Sequence, residues 1–261
     1  MSVSTSHGMT TLSSRPDIDA PHGSEMCDLL HLSLGLPASV TLCQLAWTGV
    51  AAPDAASERI PDVLLTATPR RQGHFRAGRY CARVALVRAG AAEHVVTMGE
   101  DRLPVWPDGW IGSISHADGM AVALAARAST TAGLGVDAEQ WLTSARAADI
   151  AHLVATPQEI DLLAARAGTS IEAAVTVLFS AKEALYKALY PTVRQFFDFT
   201  AATLTDASAG HLTLTLTRHW HPRWPAGSEV GVAWAATSGH VVTVAHLPAP
   251  ASASAYQASR R

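Results

Sequence analysis

The chain has 261 residues, 48% of them hydrophobic and 16% charged, with a net charge of −3. Such a composition can bury a sizeable core and excludes a chain disordered throughout. The near-neutral balance excludes a global attraction to nucleic acid or an anionic membrane, so an anion would have to be held by a local cluster.

Cys27, Cys43 and Cys81 are scattered, odd in number and without a paired metal spacing. That fits a reducing compartment and argues against a disulfide framework or a zinc site. Residues 1–25 are rich in Ser, Thr, Pro, His and Gly and carry no basic-then-apolar leader, so they are expected to be disordered and not to be a signal peptide. Every long apolar stretch is broken by Gly, Arg or His, which predicts no membrane span and a cytoplasmic protein.

Leu29 to Val50 is apolar with few charges and is expected to form short strands or turns. Pro69 to Leu86 is basic, and its later part reads as a helix with Tyr80, Val84 and Val87 facing inward. Arg70, Arg71, Arg76, Arg79 and Arg83 fall in this segment, and the 3–4 spacing of the last three lines guanidinium groups along one stripe. Guanidinium groups suit bidentate phosphate recognition, and a solvated helix face has the same pattern; both readings stand at this point.

Pro104 to Trp110 is turn-rich. Ile111 to His116, the turn Ala117-Asp-Gly119 and Met120 to Ala126 read as an antiparallel hairpin, with Ser115 and His116 at the strand end. His116 could donate to phosphate, act as a base, bind a metal or be an ordinary surface histidine.

Gly133 to Glu139 reads as a strand whose alternation puts Asp137 and Glu139 on one face. Two carboxylates side by side repel, and a divalent cation held by hard oxygen ligands is the usual reason for such a pair. The glycines flanking Leu134 permit close approach of a backbone or a ligand. A helical stretch follows between Arg146 and Arg166, its second part opened by a capping box at Thr156-Pro-Gln-Glu159.

The next helix starts near Thr169 or Ser170, faces inward with Ala174, Leu178, Ala181, Leu185 and Leu189, and is expected to end at Pro191. Its other side carries Lys182, Glu183, Tyr186 and Lys187. Glu183 and Lys187, four apart, could form no more than an exposed ion pair worth a few tenths of a kcal/mol. His211 to Thr217, Val230 to Ala235 and His240 to His246 read as strands of a scaffold meander, His219-Trp-His221 as loop, and Pro248 to Arg261 as a flexible tail.

Taken together, Gly78-Arg-Tyr-Cys-Ala-Arg83, Trp106-Pro-Asp-Gly109, Gly112-Ser-Ile-Ser-His116, Gly135-Val-Asp-Ala-Glu139 and Phe179-Ser-Ala-Lys-Glu-Ala-Leu-Tyr-Lys187 resemble the 4′-phosphopantetheinyl transferases of the Sfp-like group, in their siderophore and mycobacterial-type branch. The resemblance runs from roughly Arg70 to Phe199. It implies an α+β fold of two similar α/β halves related by a pseudo-twofold, each a small, mainly antiparallel sheet packed with helices. The expected division is 1–25 as a disordered segment, 26–128 and 129–247 as the two halves, and 248–261 as the tail.

It also implies transfer of the 4′-phosphopantetheine arm of coenzyme A to a serine of an apo acyl or peptidyl carrier protein, with release of 3′,5′-ADP. Mg²⁺ would be the metal, Mn²⁺ able to take its place, and the protein a monomer. Carried over by position, Asp137, Glu139 and Glu183 are the metal carboxylates and Glu183 the base. Lys187 contacts the phosphates, and Arg71, Arg79 and His116 hold the nucleotide end of coenzyme A, with Ser115 and Asp137 beside it. Relatives carry a Gly-Lys-Pro before the Trp-Pro turn; here Gly99-Glu-Asp-Arg-Leu-Pro104 has no lysine, which leaves Arg102 as the basic candidate. A non-catalytic coenzyme A-binding protein and a Mg²⁺-dependent phosphohydrolase are the alternatives.

Overall fold

In the computed structural model, which describes residues 21–47, 55, 58–237 and 239–250, two antiparallel sheets lie side by side, each backed by one long helix. The first sheet has the order β1 (Val40–Ala46), β5 (Met120–Arg127), β4 (Trp110–Ala117). Helix α1 (Pro21–Ser33) precedes it, and α2 (Pro69–Arg88) packs across it. A short pair, β2 (Thr97–Met98) and β3 (Pro104–Val105), carries the turn that holds Arg102.

The second sheet has the order β6 (Thr131–Gln140), β10 (His240–Pro248), β9 (Glu229–Ala236), β8 (His211–Leu216), β7 (Ala202–Ser208). Between β6 and β7 run α3 (Ser144–Val154), α4 (Pro157–Ala167) and α5 (Ile171–Val193), and α5 lies against β6 and β10. The result is an α+β fold whose chain changes sheets between Arg127 and Thr131.

Small residues set how closely α2 approaches its sheet. Ala77, Cys81 and Ala85, spaced four apart, are fully buried against a β5 that offers Ala121, Ala123 and Ala125. Of the residues expected to face inward, Tyr80 and Val84 are half-buried against this core, while Val87 is exposed, which corrects the expectation for that position. Thr68 caps the helix by accepting from the Arg71 N–H, with Pro69 in the first turn.

Two further expectations are corrected. Leu29 to Ser33 is the end of α1, with Cys27 and Leu30 buried, and only Val40–Ala46 is strand; residues 48–50 lie outside the described residues. Helix α5 continues past Pro191 to Val193, where Arg194 in the left-handed region (φ 55°) ends it. A proline so near the C-terminus forfeits only its own ladder bond, and the chain completes the turn before stopping. The capping box at Thr156 and Glu159, the 111–126 hairpin and the meander are formed as the sequence predicts.

The expectations for residues 1–20 and 251–261 lie outside the described residues, while Pro21–Glu25 falls within α1. The three cysteines are buried free thiols. Among the described residues no single helix is long and apolar enough to cross a membrane; α4 and α5 meet that length and composition only as a pair bent by 107°.

Candidate active site

The edges of the two sheets, β4 and β6, run beside one another without a backbone ladder. Serine hydroxyls take its place: the N–H of Val136 donates to Ser113 Oγ at 3.0 Å and that of Ala138 to Ser115 Oγ at 3.3 Å. From the other side β6 is pressed onto α5. A Cβ at Gly135 would lie 1.9 Å from the Ala184 carbonyl oxygen, and one at Gly133 would lie 2.7 Å from that of Ala188. Only glycine allows that approach, and it brings Asp137, on β6, under the side chain of Lys187, on α5.

Three polar groups close on one another there. Lys187 Nζ donates to Asp137 Oδ1 at 2.6 Å and to Ser115 Oγ at 3.1 Å, and Ser115 Oγ donates to the same Asp137 oxygen at 2.9 Å. Lys187 thus turns away from Glu183, and the exposed i,i+4 ion pair is not formed among the described residues. Asp137 is 3% exposed, and its second oxygen, Oδ2, is buried with no hydrogen-bond partner. An unpartnered buried carboxylate oxygen is costly unless something positive meets it.

Glu139 and Glu183 share this field. Burial, then the Asp137 charge, then that of Glu183, push the Glu139 carboxyl up to about 7, with Lys187 opposing. Burial raises Glu183 as well, Asp137 adding to it against Lys187. Mutually repelling, half-buried carboxylates with a free oxygen among them are a hard-donor set short of positive charge, which fits a divalent cation in chemistry. They are not drawn together: among the described residues no three His, Cys, Asp or Glu side chains are grouped to hold a metal ion.

Beside this centre lies a cleft of about 310 Å³ whose lining includes Arg71, His74, Arg79, Arg102 and His116. Arg71 donates from Nη1 to His116 Nε2 at 3.0 Å, which fixes the imidazole as the neutral tautomer with its proton on Nδ1. Burial, and then the charges of His74, Arg71 and Lys187, bring His116 down to about 4. Arg79 lies over the Phe75 ring at 4.7 Å and donates to the Thr97 carbonyl at 3.1 Å, while its buried Nε has no partner. Burial lowers its guanidinium to about 10, Glu58 opposing. Among the described residues neither Arg71 nor Arg79 forms an ion pair with a carboxylate, so the cleft carries guanidinium charge that no acidic side chain neutralises by direct contact.

The structure therefore joins Ser115, Asp137 and Lys187 at the seam, leaves Glu139 and Glu183 within their electrostatic reach but ungrouped, and lines the adjoining cleft with Arg71, Arg79, Arg102 and His116. It does not gather the whole arginine stripe, since Arg83 is paired with Glu58 at 2.7 Å. Nor does Lys182 belong to the site. Its Nζ is buried on the other side of α5, donating to Glu159 at 2.9 Å and to the carbonyls of Val154 and Phe199 at 2.8 and 3.2 Å. Sequence reasoning passed over His74 and Asp118. The signal was present for the first, since His74 follows Arg71 by three residues on a helix and must share its face.

A family model described as "4'-phosphopantetheinyl transferase N-terminal domain" matches residues 61–126, and one described as "4'-phosphopantetheinyl transferase superfamily" matches residues 133–245. The chain belongs to the 4′-phosphopantetheinyl transferase superfamily. It is similar to the 4′-phosphopantetheinyl transferase Svp of Streptomyces mobaraensis, 36% identical over 71% of this chain and 76% of that protein. It is also 35% identical to enterobactin synthase component D of Salmonella typhi, over 59% of this chain and 63% of that protein. To the 4′-phosphopantetheinyl transferase PptT of Mycobacterium tuberculosis it is 31% identical, over 52% of this chain and 59% of that protein.

Proposed function

We propose that the chain transfers the 4′-phosphopantetheine arm of coenzyme A to the serine hydroxyl of an apo carrier protein, of the kinds that serve siderophore, polyketide or nonribosomal peptide assembly, and releases 3′,5′-ADP. The observation that carries this is the junction of two unlike sites. An arginine- and histidine-lined cleft for phosphates opens beside a buried carboxylate–lysine centre, with Ser115 and His116 adjacent on β4.

In this reading Arg71, Arg79 and His116 bind the nucleotide end, with Arg102 standing in for the missing lysine. Lys187 moves from Asp137 to the pyrophosphate and offsets charge on the departing phosphate. Ser115 keeps Lys187 and Asp137 in register. Glu183 takes the carrier serine's proton as the serine oxygen bonds to phosphorus and the bond to 3′,5′-ADP breaks. Asp137, Glu139 and Glu183 would hold Mg²⁺, and Asp137 Oδ2 is the oxygen left free for it. Bound there, the ion would neutralise and orient the pyrophosphate.

Beyond Glu183 an aromatic cleft of about 170 Å³ is lined by Tyr186, Phe196, Phe197, Phe199 and Trp220. Its aromatic walls, next to Glu183, suit the apolar part of the pantetheine arm.

The test incubates the chain with coenzyme A, Mg²⁺ and several apo carriers and reads both carrier mass and nucleotide product. Modified carrier with equimolar 3′,5′-ADP is expected. Coenzyme A hydrolysed without carrier modification would select the phosphohydrolase, and unchanged coenzyme A would select the binding protein.

A further inference from the structure

His74 lies on α2, one turn from Arg70 and Arg71, and its side chain is 13% exposed at the wall of the anion cleft. Its ring faces that of His116 at 4.7 Å and an angle of 34°, and meets the edge of Trp47 at 5.9 Å. The only carboxylate beside it, among the described residues, is Asp118 in the β4–β5 turn, whose Oδ1 is 3.3 Å from His74 Nε2. That oxygen already accepts from Arg70 Nε at 2.8 Å, and Arg70 Nη2 takes the other oxygen. The Asp118 carbonyl is held in turn by His240 Nε2 at 2.8 Å and Gln140 Nε2 at 3.3 Å. Asp118 is thus fixed in place and engaged by an arginine, and its hold on His74 is long and shared.

We propose that His74 is a phosphate-binding residue of this cleft, which leaves Asp118 for a phosphate ester of the entering nucleotide and takes up a proton from solvent as it does so. The proposal rests on the reading of the cleft as the coenzyme A site. The charged and titratable groups facing His74 are Arg70 and Arg71 on its own helix, His116 on β4 and Asp118 in the turn; Lys187 of α5 acts on His116. With the cleft free, burial keeps the imidazole below its usual value; Asp118 opposes this, while Arg70 and Arg71 reinforce it. A phosphate in the cleft that His74 lines reverses the balance, because it adds negative charge and an acceptor beside a ring whose other neighbours are Trp47, His116 and Asp118. Imidazolium then becomes the favoured form, so coenzyme A affinity gains from His74 as pH falls through the bound pKa.

Calorimetry with coenzyme A, in buffers of different ionisation enthalpy, counts the protons taken up by wild type and by His74→Gln. Wild type is expected to take up more than the variant near pH 7. His74→Gln should lose about tenfold in affinity at pH 6 and less than twofold at pH 8, since only the charged imidazole makes the strong contact. His74→Lys, charged throughout, should bind with little change between the two pH values relative to His74→Gln. Equal proton uptake in wild type and His74→Gln, or an equal loss at both pH values, would overturn the proposal.

Should His74→Gln fail to fold, the His74 ring resonance of wild type, titrated with and without coenzyme A, reads the same quantity. An unmoved midpoint would overturn the proposal, and an upward one supports it. A wild-type chain that binds no coenzyme A would remove the cleft reading itself and this proposal with it, which separates the two failures.

Discussion

Lys187 and Glu183 are one turn apart on α5, and the structure gives them different surroundings. Lys187 is bonded to Asp137 and Ser115, whereas burial makes Glu183 more basic. Both Glu183→Gln and Lys187→Ala are expected to bind coenzyme A within about tenfold of wild type and to lose on the order of a hundredfold or more in single-turnover transfer. Raising pH should partly restore Glu183→Gln, because hydroxide can replace a lost base, and should not restore Lys187→Ala. Near-wild-type rates in both would return the pair to the helix surface.

His116 gives a pH prediction of definite sign. Its folded pKa, about 4, lies below the ordinary value of 6.5, so between those values the unfolded chain binds the proton first. The contribution of His116 to stability is therefore complete above about pH 6.5 and lost as pH falls toward 4. Denaturant titrations of wild type and His116→Asn should show a difference that changes with pH in this window and is constant above it; a constant difference throughout would contradict the burial of a neutral imidazole.

At the scale of elements, the sequence carried what local patterns encode. The 111–126 hairpin, the Thr156 capping box and the strict alternation of β8 are all short-range signals, and each is formed. Strand β7 escaped because its buried residues are Ala202, Leu204 and Ala207, spaced two and then three, and the register shifts between Leu204 and Asp206. A bulge there breaks the period on which strand reading depends. The site was legible for the same reason in part: Asp137 and Glu139 alternate on one strand, but that Lys187 would reach Asp137 and leave Glu183 depends on how close Gly135 lets β6 come to α5.

Lys182 shows the limit most clearly. One residue from Glu183, it read as part of the same polar face, and it is instead 5% exposed, with Glu159 and two carbonyls taking its three donors. Lys182→Ala would leave Glu159 buried without its cation, at an expected cost of about 3–5 kcal/mol. Lys187→Ala likewise leaves a buried carboxylate, Asp137, without its cation, so single-turnover transfer and not stability divides the two lysines. Folded Lys182→Ala should keep far more transfer activity than Lys187→Ala; equal losses would mean that the two are not divided between scaffold and site.

At the scale of the molecule, the site exists because two sheets meet without sharing a ladder. The Ser113 and Ser115 hydroxyls join β4 to β6, the Asp118 carbonyl accepts from β6 and β10, and Asp101 in the β2–β3 turn pairs with Arg194 at the end of α5 at 2.8 Å. The arginine cleft belongs to the first half, the carboxylates and Lys187 to the second, and Ser115 touches both.

The central claim is that these two half-sites work as one, and the most direct measurement is the intact mass of an apo carrier after a single turnover with coenzyme A and Mg²⁺, for wild type and for Asp137→Ala. Wild type should add one phosphopantetheine arm per carrier and release one 3′,5′-ADP, while folded Asp137→Ala, still binding coenzyme A, should leave the carrier unmodified. Normal transfer by folded Asp137→Ala at ordinary Mg²⁺ would contradict the account.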